Sequence, residues 1–140
     1  MSIAVRRCAL FVLMLAGLAG AAGAVGETLD QPTLEAIVRD ANTRMPHMAD
    51  AETRLDKVGA GQQELIYYAT LVNRRAAEFD RAAFAEAMER QQRASACQNP
   101  SVSKFLAAGI SVTTQYQSLD GQFVARITLP RYFCRGGTGK

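Results

Sequence analysis

The pair Cys97 and Cys134 constrains this fold more than any other feature, because the start of the chain places both in an oxidising compartment. Met1 to Ala24 reads as a secretory signal peptide: Arg6 and Arg7 form a charged n-region, Ala9 to Leu18 an apolar h-region, and Ala22-Gly23-Ala24 a small-residue cleavage site. Cleavage removes Cys8 and leaves two cysteines where a disulfide forms and persists. A Cys97–Cys134 bridge closes a loop of about 38 residues, for which chain entropy predicts stabilisation of about 4 kcal/mol. The expected product is a soluble periplasmic or secreted protein.

Val25 to Lys140 has the length of one compact domain, expected over residues 25–134 with a frayed tail over 135–140. Of the chain's formal charge of +3, two units belong to Arg6 and Arg7, so the exported part is nearly neutral. That balance argues against nucleic acid as a partner. No second apolar run approaches the length of about 18 residues that a membrane span needs.

Apolar residues at Leu34, Ile37, Val38, Ala41 and Met45 line one face of a helix that Pro32 opens and Pro46 ends. Met48 to Val58 reads as a polar strand, Gly59-Ala60-Gly61 as a turn, and Leu65 to Val72 as a central strand of the same hairpin. Tyr67 and Tyr68 must then face opposite sides. Asp80 caps a second helix with Phe84, Ala87, Met88 and Gln91 on one face, Asn99-Pro100 opens a third, and Gly109 stops it. Val112 to Tyr116 and Phe123 to Leu129 form a second hairpin around Asp120-Gly121, with Phe123, Ala125, Ile127 and Leu129 on the core face.

The order α-β-β-α-α-β-β predicts an α+β fold with helices on one face of a roughly four-stranded antiparallel sheet, tied by one disulfide. The order of the strands within the sheet is left open by the sequence.

The chemistry-bearing residues are few. His47 is the single histidine, and neither a Gly-x-Ser-x-Gly elbow nor a Cys-x-x-Cys pair occurs. Met45, His47 and Met48 are soft ligands suited to Cu(I). Asp50, Glu52 and Asp56 could share one strand face with Arg54 pointing away, and so offer carboxylates to a small hydrolase. The simpler reading of those charges is a polar outer strand that resists edge-to-edge association.

Met45-Pro46-His47-Met48-Ala49-Asp50 through Asp56, then Leu65-Ile66-Tyr67-Tyr68, and the block from Cys97 to Cys134 together carry a resemblance. They are similar to a group of small exported bacterial proteins in which a Pro-x-x-x-Asp-x-x-Thr-x-Leu stretch precedes a Tyr-rich strand. In that group two cysteines flank a Leu-x-x-Gly segment, here Leu106 to Gly109, and a last hairpin. The resemblance implies a bacterial envelope protein and adds no catalytic residue.

The leading expectation is a non-catalytic, cofactor-free binding module that acts on a protein partner in the cell envelope as an accessory, adaptor or inhibitor. Its oligomeric state stays open. Tyr67, Tyr68, Tyr116, Arg126, Arg131 and Tyr132 are the candidate contact residues, because Tyr and Arg are enriched at binding hot spots. A small-molecule or Cu(I)-binding protein with a pocket between helices and sheet is the alternative, and a small hydrolase the third.

Overall fold

Residues 28–135 are described by a computed structural model. The signal peptide, its cleavage site and the tail from Gly136 lie outside the described residues. The elements are α1 (Gln31–Asn42), β1 (His47–Met48), β2 (Thr53–Gly61), β3 (Glu64–Leu71), α2 (Arg81–Ser95), α3 (Pro100–Ala107), β4 (Ser111–Ser118) and β5 (Phe123–Leu129). The helices cover one face of a single five-stranded sheet of order β1-β2-β3-β4-β5.

The class is α+β as expected, but the sheet is neither four-stranded nor wholly antiparallel. Its extra strand is β1, which pairs His47 with Leu55 and Met48 with Arg54. The two hairpins are antiparallel internally, yet β3 and β4 run parallel from Glu64 beside Ser111 to Leu71 beside Ser118. The cause is the connection: α2 and α3 carry the chain back to the end of the sheet where β3 began, which is what a parallel pair requires.

The first hairpin turns later than expected. Gly59 and Gly61 remain in β2, and the turn is Gln62-Gln63, with Gln63 at φ 52°. Gln31 secures it from α1, its amide accepting from Gln63 N–H at 3.1 Å and donating to Gly61 O at 2.9 Å. Glycine at position 59 has a steric role instead, since a Cβ there would stand 3.1 Å from Cε2 of Tyr68.

Helix α1 starts at Asp30, whose carboxylate accepts from Thr33 N–H at 2.9 Å. It ends at Asn42, whose amide satisfies both the N–H and the C=O of Val58 at 2.8 Å each. Leu34 and Val38 enter a core with Leu65, Phe105, Leu106 and Ile110. A second apolar cluster, Ala69, Leu71, Tyr116, Val124, Ala125 and Ile127, underlies α2. Phe123 was expected on that core face but is 52% exposed. A bulge between Tyr116 and Gln117 pairs Phe123 with Gln117, so Val124 and Ala125 both turn inward and Phe123 outward.

The expected disulfide is present and joins the turn after α2 to the last turn of the domain, with the two Cα atoms 5.4 Å apart. In that last turn Tyr132 N–H donates to Leu106 O at 2.9 Å. Gly109 ends α3 at φ 81°, and a Cβ there would lie 2.7 Å from Tyr132 Oη and 2.8 Å from Thr28 Cγ2. Gly109→Ala therefore combines left-handed backbone strain with a clash on two sides. Urea unfolding should show it less stable by about 2–3 kcal/mol, and a loss below about 0.5 kcal/mol would contradict this packing.

A groove between two helices

Helix α1 lies over β2, α2 over β5 and α3 against β4, and an opening remains between α1 and α2 over the middle of the sheet. The opening is a groove of about 1070 Å³. Its floor is the core face of the sheet: Leu55, Val58, Leu65, Tyr67, Ala69, Leu71, Thr114 and Tyr116. Ile37, Ala41 and Met45 form one wall, Phe84 and Met88 the other, and Val102 and Phe105 of α3 close one end. No residue of α2 is buried, and its inner apolar side chains are only half-covered because they overhang this space.

Aromatic groups stiffen the α2 side. Phe84 meets Tyr116 edge-on at 5.3 Å between ring centroids and Phe79 in the same manner at 5.4 Å. Gln92 Nε2 donates to Tyr116 Oη at 2.9 Å across the floor. Burial pushes the Tyr116 hydroxyl above its ordinary pKa, the Gln92 hydrogen bond partly opposes this, and the Asp50 carboxylate adds to the rise. Burial alone raises that of Tyr67.

Charge is confined to the margins. Asp50 stands where β1 turns into β2, accepting from the N–H groups of Glu52 and Thr53 at 2.8 Å each. The Glu52 N–H is the main reason its pKa lies below the ordinary 3.8. The Thr33 hydroxyl followed by its N–H lowers Asp30, and the Ser118 hydroxyl followed by Ala76 N–H lowers Asp120. A folded-state pKa below the unfolded one gives stability that is complete above the unfolded value and lost as pH falls through the folded one. Thermal unfolding followed by circular dichroism should therefore show a melting temperature level above about pH 5 and declining below about pH 4. Asp30→Asn with Asp120→Asn should flatten that decline.

The six candidate contact residues do not form one surface. Tyr67 and Tyr116 belong to the groove floor, where Tyr116 is only 7% exposed. Tyr68 lies on the opposite face of the sheet, with Lys57 Nζ 4.7 Å from its ring centroid. Arg126 shares that outer face, donating to Glu64 at 2.9 Å and to Gln115 at 3.2 Å. Arg131 reaches Gln63 Oε1 at 3.0 Å at the far end of the sheet, and the Tyr132 ring is half-buried under Arg135 at 4.2 Å.

Nor does the metal or the carboxylate set converge as a whole: Met45 and His47, and Asp50 and Glu52, line the groove, whereas Met48 and Asp56 do not. His47 pairs with Leu55 and lines the groove beside Met45, whereas Met48 pairs with Arg54 and points to the outer face. Arg54, expected to point away from the acids, instead shares the outer face with Asp56 and bonds it at 2.6 Å. Asp56 also accepts from the Thr70 hydroxyl, so it lies across the sheet from Asp50. Among the described residues no group of three His, Cys, Asp or Glu side chains is placed to hold a metal ion. The pocket between helices and sheet matches the alternative expectation in place, but its wall residues apart from Met45 were not among the candidates. Their signal was the spacing of Ile37, Ala41 and Met45 and of Phe84 and Met88, which reads equally well as core.

No protein-family model matches the chain, and no curated protein does. Solved structures share its fold. A protein from Pseudomonas aeruginosa described as secreted is 18% identical with a TM-score of 0.61, over 75% of this chain and 92% of its own. The pilotin EpsS of the Vibrio vulnificus type 2 secretion system is 10% identical with a TM-score of 0.55, over 75% of this chain and 94% of its own. The type II secretion system pilotin AspS from Vibrio cholerae is 19% identical with a TM-score of 0.53, over 74% of this chain and 94% of its own. This chain is thus similar in fold to secreted and secretion-system proteins, and no described helix is long and apolar enough to cross a membrane.

Proposed function

We propose that this chain is a non-catalytic adaptor of the bacterial cell envelope that holds an amphipathic helical segment of a protein partner between α1 and α2. The observation that carries the reading is the groove, with its apolar floor and walls and charge only at its margins. Its volume of about 1070 Å³ lies at the upper limit of the roughly 300–1,000 Å³ usual for small-molecule sites. A helix is the form the lining favours. The groove offers a sheet face and helix sides, whose backbone N–H and C=O groups are already paired within their own elements. An extended segment buried there would leave its own backbone groups unpaired, whereas a helix satisfies them internally.

The exported character read from the N-terminus supports an envelope setting, as does a fold similar to that of two secretion-system pilotins. The copper alternative loses Met48 to the opposite face. The hydrolase alternative loses Asp56 to the opposite side of the sheet from Asp50 and Glu52.

Cross-linking in the native envelope, followed by purification of the tagged protein, tests the reading. Ile37→Glu and Met88→Glu place a charge on half-buried groove walls and should reduce recovery of a stoichiometric partner by about tenfold or more. Tyr68→Ala on the outer face should retain it. Retention by both groove variants, with loss on changing Tyr68 or Arg126, would reverse the assignment to the other face.

A further inference from the structure

We infer that the groove takes its helix in one direction only, with the helix N-terminus and a basic side chain at Asp50 and Glu52 and an acidic C-terminal end at Lys104. The inference rests on the groove reading and adds polarity to it. All three charged residues line the groove. Glu52 sits at the C-terminal end of β3, its carbonyl accepting Val72 N–H at 2.9 Å. Lys104 belongs to α3, which packs at the other end, where Ile110 N–H reaches Phe105 O at 2.9 Å and Ser111 N–H reaches Gln63 O at 3.0 Å. The eight residues of β3 between those ends span roughly 25 Å, the length of a helix of about 16 residues.

The two ends therefore carry opposite charge. Asp50 spends its hydrogen bonds on backbone N–H groups, and neither it nor Glu52 forms an ion pair among the described residues. Lys104 likewise has no carboxylate partner there. The other charged side chains that line the groove, Asp40 and Arg44, neutralise each other in an ion pair at 2.8 Å. His47 stands at the acidic end, in the short strand beside Leu55. A helix laid in this field is oriented twice over. Its macrodipole turns the N-terminus toward the carboxylates and the C-terminus toward the ammonium, and charged side chains at its ends act in the same sense.

Two end-blocked, dye-labelled peptides of one composition provide the test, each with leucines at i, i+3, i+4 and i+7. One carries two lysines in its first turn and two glutamates in its last, and the other has these exchanged. Fluorescence anisotropy at low salt compares each peptide on the unaltered protein and on the double variant Glu52→Lys/Lys104→Glu, whose two sites are exposed. Comparing each peptide with itself cancels the difference in intrinsic helicity.

The double variant should weaken the first peptide about fivefold and strengthen the second by a similar factor, with both effects shrinking in high salt. If both peptides bind and neither responds, or both respond alike, the orientation is wrong and the groove reading stands. If neither peptide binds either protein, the groove reading falls and the orientation with it. Unchanged far-ultraviolet circular dichroism keeps the double variant a fair comparison.

Discussion

Changing Cys97 and Cys134 together to serine should destabilise the folded protein by about 4 kcal/mol. The bridge spans 37 residues of sequence, from the end of α2 across α3, β4 and β5. Its removal restores to the unfolded chain the freedom of a loop containing both strands of the second hairpin. Against a total stability of about 5–15 kcal/mol for a domain of this size, that loss lowers the melting temperature by on the order of 15 °C or more. Chemical denaturation of the double variant against the oxidised protein measures it directly. A difference below about 1 kcal/mol would mean that Tyr132, Phe133 and Cys134 stay docked on their packing alone. The paired serine change avoids leaving one reactive thiol.

Leu106→Ala should cost about 3–5 kcal/mol, because Leu106 is fully buried between α1 and the sheet and its removal opens a cavity that α3 cannot close. Its backbone also holds the last turn, through the hydrogen bond from Tyr132 N–H. The informative contrast is Met88→Ala. Met88 is a half-buried apolar residue that overhangs the groove, so truncation removes little packing and should cost about 1 kcal/mol or less. Urea unfolding of the two variants separates residues that hold the domain together from residues held ready for a ligand. Equal losses would mean that α2 is seated on the sheet as firmly as α3.

Much of the local structure was legible because it rests on local chemistry. Pro32, Asp80, and Asn99 with Pro100 mark helix starts by supplying acceptors for orphan N–H groups or by needing none, and the structure adds Asp30 as the cap of α1. Gly109 and Gly121 take positive φ where the chain turns. The misreadings arose where pairing, rather than local pattern, decided the geometry. The turn moved from Gly59-Ala60-Gly61 to Gln62-Gln63 because Gln31 reaches it from α1, and Phe123 turned outward because a bulge reset the alternation.

The site was less legible than the fold. A half-buried apolar residue on a groove wall and a fully buried one in a core have the same side-chain chemistry and the same helical spacing, so Ile37 and Leu34 are indistinguishable in sequence. Tyr67 and Tyr116 were singled out for their chemistry and do reach the groove, whereas Tyr68 and Arg126 fell on the opposite face.

Composition and local pattern by themselves determined the α+β class, the helix caps, the two hairpins and the cysteines available to pair. Each depends on residues within a few positions of one another or on a pattern that repeats along one element. Only the tertiary structure decided that β3 and β4 run parallel, that β1 adds an edge, and that α1 and α2 stand apart over the middle of the sheet. Those outcomes depend on how long connections return and on which side chains meet from opposite ends of the chain, and the groove exists only as the distance between two helices.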